Sequence, residues 1–174
     1  MSRPEKSEYD PFYENYISLA ADADIVDLLS SQPDELRQAL VGIDEPGGAL
    51  AYADGKWTIK ELLSHVIDGE RIFAYRLLRI SRGDQTPVEG FDQDLYIEHS
   101  HANERTIADL LDEFAELRSA NLRQIRNLTH DDQLRTGTAN GSSISVRALV
   151  RIMAGHVAHH LHVLRSRYLA GNAG

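Results

Sequence analysis

Ser145–Tyr168 reads SVRALVRIMAGHVAHHLHVLRSRY, and the fold follows from what this stretch demands of the rest of the chain. At about 100° per residue, Val146, Leu149, Met153, Val157, Val163 and Leu164 fall in one sector of a helix. Four of the eight histidines lie between His156 and His162. His156 and His160, one turn apart, project from the middle of the apolar sector. His159 sits on its edge, and His162 points towards solvent. A buried imidazole without a partner costs about 1–3 kcal/mol. Two readings satisfy the pair: hydrogen bonds within a core, or one metal ion, which side chains at i and i+4 on one face can reach together.

Composition narrows the setting. With 174 residues, 42% of them hydrophobic and 26% charged, the chain reads as one globular domain spanning 1–174. A net charge of −9 without a basic stripe argues against a nucleic-acid partner. Cysteine is absent, which excludes disulfides, thiolate ligands and a cysteine nucleophile, so any metal must sit on nitrogen and oxygen. The opening MSRPEKSEYDPFYENY is polar where a signal peptide would be apolar, and no run approaches the roughly 18 apolar residues of a membrane span. The expectation is a cytoplasmic protein with no membrane partner.

Working outward from the quoted stretch, residues 1–10 read as a loose arm, followed by a short helix from Pro11 to Ala20. Asp24 caps a helix over 25–43 that carries Leu29, Leu36 and Leu40 on one side. Pro33 inside it predicts a kink or a division. A loop over 44–55 leads to Thr58 and Glu61, a capping box that opens a second long helix over 58–82. His65 lies at the margin of its apolar stripe. Glu70 lies within the stripe, where a carboxylate needs a partner. The connection over 83–105, with a helical turn at Asp92–Glu98, is too long for an ordinary antiparallel pair and permits a crossover between parallel helices. Its His99 and His101 read as solvated. Thr106 with Asp109 opens a third helix over 106–128. Asn140-Gly141 allows a tight bend short of a full hairpin. Ser145 caps the fourth helix, 145–169, with Ile144 and Leu149 spaced as a hydrophobic staple and Gly171 as its stop. Four long amphipathic helices and no convincing sheet predict an all-α four-helix bundle.

Together, KWTIKELLSHVIDGERIFAYRLLRISRGD, the GFDQD of the crossover, and VRALVRIMAGHVAHHLHVLRSRY resemble the DinB-like superfamily, specifically its YfiT-like branch. The likeness covers nearly the whole chain. It implies a bundle in up-down-down-up order with parallel second and third helices. It also implies that one histidine of the second helix and two of the fourth hold a divalent metal, nickel or zinc; matched motif to motif, these are His65, His156 and His160. Characterised members of the family include S-transferases that use bacillithiol, mycothiol or glutathione, and an isomerase of maleylpyruvate. The name's association with DNA damage implies no DNA binding.

Three neutral imidazoles leave the full charge of a divalent ion at the site, where it would deprotonate a coordinated thiol or acidify a bound water. The expected function is a metal-dependent transferase that activates a low-molecular-weight thiol for attack on an electrophile. The alternatives are a hydrolase that activates water, or a metal-binding or sensing module without catalysis. Glu61, Asp68 and Glu70 are candidates to orient the histidines from behind, and Glu70 could equally pair with an arginine. Arg71, Arg76 and Arg151 are candidates to receive an anionic substrate, although helix surfaces commonly carry such charges. The expected partners are a small-molecule substrate and, from four amphipathic faces and family habit, a second copy in a homodimer.

Overall fold

In the computed structural model, residues 1–20 and 24–170 are described. They form α1 (Glu14–Leu19), α2 (Ile25–Ala39), α3 (Glu45–Gly48), α4 (Ile59–Ser81), α5 (Gln93–Glu98), α6 (Ile107–Arg126), α7 (His130–Leu134), β1 (Thr136–Ala139), β2 (Ser142–Ser145) and α8 (Val146–Val163). A π-helical turn, Leu164–Tyr168, continues α8; Gly171 lies outside the described residues. The four long helices begin at their caps. Asp24, Thr58, Thr106 and Ser145 each accept a hydrogen bond from a first-turn backbone N–H, and Glu61 returns the contact to Thr58. Among the described residues, no helix is long and apolar enough to cross a membrane.

Cross-helix contacts fix the directions. At their N-terminal ends Glu45 holds both Lys60 of α4 and the backbone N–H of Ile107 of α6. Midway Glu70 meets Arg118, and at their C-terminal ends Leu78 and Arg82 face one concavity with Arg123 and Asn127, so α4 and α6 run parallel. Along α2 and α6 the order reverses: Arg37 meets Asp112, while Ser30 meets Arg126. His65, early in α4, meets His156, late in α8, while Leu77 and Ile80, late in α4, share an apolar cluster with Val146 and Leu149, early in α8, so these two are antiparallel. The order is therefore up-down-down-up for α2, α4, α6 and α8, and 82–106 forms the crossover.

Two apolar clusters fill the bundle. Leu29, Phe73, Leu77, Leu122, Leu149 and Met153 belong to one, and Leu36, Leu62, Val66, Phe114, Val157 and Leu161 to the other. A polar layer with one contribution from each long helix divides them. Arg118 grips both carboxylate oxygens of Glu70 at 2.9 and 2.8 Å and reaches Gln32 Oε1 at 2.7 Å. Gln32 Nε2 in turn donates to the carbonyl of Ala154 at 2.7 Å. Asn121 adds a third donor to Glu70.

That layer also explains why Pro33 does not divide α2. Proline lacks the N–H that would bond the carbonyl of Leu29. Arg118 Nη1 takes that carbonyl instead, at 3.2 Å, and the helix continues to Ala39.

Three other expectations are corrected. Thr136–Ala139 and Ser142–Ser145 do pair as a full antiparallel hairpin. Asn140 and Gly141 take positive φ, 49° and 77°, as a two-residue primed turn requires, and Val88 of the crossover bonds to the same hairpin. The N-terminal arm is docked: Glu8 pairs with Arg147, and Tyr9 is buried. The stretch after Asp44 is partly helical, closed by Asp44 capping Gly47.

Candidate metal centre

The helix that opens at Thr58 carries His65 to within reach of α8, and the i, i+4 spacing stacks His156 and His160 opposite it. His156 Nε2 lies 3.0 Å from His65 Nε2 and 3.2 Å from His160 Nε2. All three residues are buried, His65 included, so the margin position read from its stripe is closed over by neighbours. One ring nitrogen cannot satisfy both contacts: as a donor it serves one partner, and as an acceptor it has a single lone pair. Two ligands about 2.0–2.1 Å from a common ion stand about 2.9–3.4 Å apart for angles between octahedral and tetrahedral. The donor set therefore fits a divalent metal. Among the described residues no carboxylate joins the group.

Electrostatics keep the nitrogens free of protons. Burial pushes His65 down to about 4, with a smaller push from His159. Burial, then the neighbouring imidazoles, drives His156 and His160 well below their usual range. Neutral imidazole is the form that ligates a metal.

Packing fixes the rings. A Cβ at Gly69 would lie 2.7 Å from His156 Cε1, so only glycine lets that ring rest on the backbone of α4. Gly155 does the same for α1, since a Cβ there would meet the carbonyl oxygen of Tyr16. Tyr16 and Phe73 meet His156 edge-on, each at 5.5 Å between centroids. Trp57 lies 4.8 Å from His65.

A cleft of 350 Å³ opens onto His160, with Tyr52, Trp57 and Tyr168 as aromatic walls and His159 and Asp94 beside them. Tyr168 donates to the carbonyl of Trp57 at 2.6 Å and packs edge-on against Tyr52, which ties the end of α8 to the loop before α4. The wall residues sit in loops and helix ends, where periodicity carries no signal. Trp57, Asp94 and Tyr168 nevertheless fall inside the segments that carry the family resemblance, whereas Tyr52 does not. His159, read as an edge residue, is half-buried on this wall beside Tyr16.

The other candidates go elsewhere. Glu61 serves the cap of α4 and accepts from Asn103. Glu70 pairs with Arg118 and touches no histidine. Asp68 is half-buried, raised by burial, and makes no hydrogen bond among the described residues. Arg71 pairs with Glu113 on the surface. Arg76 is buried and donates to the carbonyl of Glu89. Arg151 is buried too, holding the carbonyls of Ala20 and Met1. His99, His101 and His162 are exposed.

Comparison with known proteins agrees with this architecture. No curated protein sequence matches the chain. Among solved structures, YfiT from Bacillus subtilis superposes with a TM-score of 0.78 at 17% identity, over 97% of this chain and 92% of its own. That protein is described as "a probable metal-dependent hydrolase with an unusual four-helix bundle topology". The model of the DinB superfamily matches residues 28–164, which take in α4, α6 and α8, α2 from Leu28 onward and the three converging histidines, and the chain belongs to that superfamily.

Proposed function

We propose that the chain is a metal-dependent enzyme in which His65, His156 and His160 hold one divalent ion at the floor of the aromatic cleft, where a small external nucleophile is activated. The observation that carries this reading is the convergence of three buried Nε2 atoms beside an open cleft. Zinc and nickel both suit three imidazoles. Such an ion, when bound, supplies Lewis acidity that lowers the pKa of a thiol or water it holds. The chain's own residues keep the imidazoles neutral by burial and fix the His156 ring between Gly69, Phe73 and Tyr16. The aromatic walls limit access of bulk water to His160. An accessible cleft favours catalysis over a closed structural or sensing site.

With no cysteine in the chain, the favoured nucleophile is a low-molecular-weight thiol, as in the family's transferases, attacking an electrophilic substrate. Hydrolysis is the second reading, favoured by the description of YfiT. Elemental analysis of native-purified protein tests the centre: His156→Ala and His160→Ala should lose stoichiometric metal, and His159→Ala and His162→Ala should keep it. Full metal content in His156→Ala overturns the assignment. The metal-loaded protein is then incubated with an aryl halide with and without thiol, and with a nitrophenyl ester alone. Thiol-dependent adduct formation supports transfer, and thiol-independent ester cleavage supports hydrolysis.

A further inference from the structure

At the opposite end of α4 the bundle carries a second and larger concavity, 720 Å³, between the C-terminal turns of α4 and α6 and the short α7. Ser81 on its wall is 16 residues beyond His65, about 24 Å along the helix at 1.5 Å per residue. Three arginines line it, Arg82, Arg123 and Arg135, against one carboxylate, Asp132. In a chain of net charge −9, a cleft of net charge +2 is a local inversion.

Arginines near helix C-termini ordinarily answer the exposed carbonyls and the negative end of the dipole. Here that task is already filled. Arg135 donates to the carbonyl of Ser81 and, at 2.5 Å, to Asp132, which also takes the backbone N–H of Thr129. The charge of Arg82 reaches Asp132, but among the described residues neither Arg82 nor Arg123 has a hydrogen bond or close ion pair through its guanidinium group. The wall between them holds Gln124, whose amide nitrogen is buried without an acceptor, and Asn127. The side chains of Arg82, Arg123 and Gln124 leave this cleft with donors in excess, against the single carboxylate of Asp132. A ligand that completes it must bring several oxygen acceptors and at least two negative charges.

We propose that this cleft is a binding site for a small, multiply charged oxyanion, a phosphate or polycarboxylate group held between Arg82 and Arg123. It is separate from the histidine centre and does not depend on metal there. The volume accommodates a ligand well beyond a single ion.

The test is a titration of isotopically labelled protein followed by NMR, using inorganic phosphate in one arm and tricarballylate in the other. Expected are saturable shifts at the Gln124 side-chain amide and the Nε–H signals of Arg82 and Arg123, with the ring signals of His65, His156 and His160 unmoved. Saturation in one arm alone identifies the phosphate or the carboxylate source. Replacing Arg82 and Arg123 by glutamine should weaken binding at least about tenfold with helix content unchanged. The single Arg123→Gln variant serves if the double one folds poorly. Absence of saturation in both arms, or undiminished binding in the variants, overturns the proposal.

Discussion

Replacing Gly69 by alanine tests whether the backbone of α4 positions the histidine centre. The added Cβ would stand 2.7 Å from His156 Cε1 and 3.2 Å from Nδ1. Carbon atoms settle at about 3.5 Å or more, so the imidazole must retreat by roughly 0.8 Å. A metal–nitrogen bond tolerates only about 0.2 Å. Zinc affinity is therefore expected to fall, by roughly the 10–100-fold seen when groups supporting a ligand are disturbed. Helix propensity acts the other way: alanine favours the helix by about 1 kcal/mol over glycine, against about 1–3 kcal/mol for crowding the core. Stability should fall by no more than about 2 kcal/mol, while affinity drops by roughly one to two orders of magnitude. The assay is built in, because Trp57 is the single tryptophan and lies against His65, so its fluorescence follows a zinc titration. Gly137→Ala is the matched control. Its Cβ would clash with Ile80 at 2.7 Å, away from the histidines, and zinc affinity should stay unchanged. Wild-type affinity in Gly69→Ala at wild-type stability would refute the reasoning.

Arg118→Ala strands Glu70 and the Leu29 carbonyl in the core; breaking such a pair costs about 3–5 kcal/mol, which for this chain length lowers Tm by roughly 10 °C. Calorimetry showing a drop of only a degree or two would count against a structural role for the polar layer, and the paired change Glu70→Leu with Arg118→Met should recover much of the loss. The metal-free protein should lose stability in acid. Burial holds His65 at about 4, below the 6.5 of the unfolded chain, so the unfolded state binds more protons between those values. Stability is then full above pH 6.5 and declines towards pH 4, by up to about 1.4 kcal/mol per pH unit for each such histidine; urea midpoints that stay flat across this window would contradict it. Arg147→Ala removes the partner that holds the Glu8 carboxyl down at about 2 and should open the arm before Tyr9 to limited proteolysis, with α8 left intact by circular dichroism.

Much of this molecule is local, and local features are legible in a sequence. The caps and apolar stripes carry the four helices, because each depends on residues within a few turns of one another. The length of the 83–105 connection permits the parallel crossover, and the up-down-down-up order itself is what the family resemblance implies. The same logic singles out His156 and His160, since i, i+4 geometry is a property of one helix. The hairpin escaped because its strands are four residues each, TGTA and SSIS, too short and too poor in β-branched apolar residues to announce alternation. Contacts from distant residues secure it: the register with Val88, the seat of Gly137 beneath Ile80, the hydrogen bond of Ser142 to Asp10 and the burial of Ile144.

What the tertiary structure decided is which distant groups meet. Pro33 breaks no helix because Arg118, 85 residues away in sequence, supplies the donor its backbone lost. Glu70 faces that same arginine rather than a histidine. His65 is buried because Trp57 and the α8 rings close over it. Arg151, a candidate to receive an anion by its charge alone, lies inside, bonded to the carbonyls of Met1 and Ala20. Periodicity reports which face of one helix turns inward. It is silent on what stands opposite, and for a buried polar group the partner opposite determines whether it binds a ligand or holds the fold together.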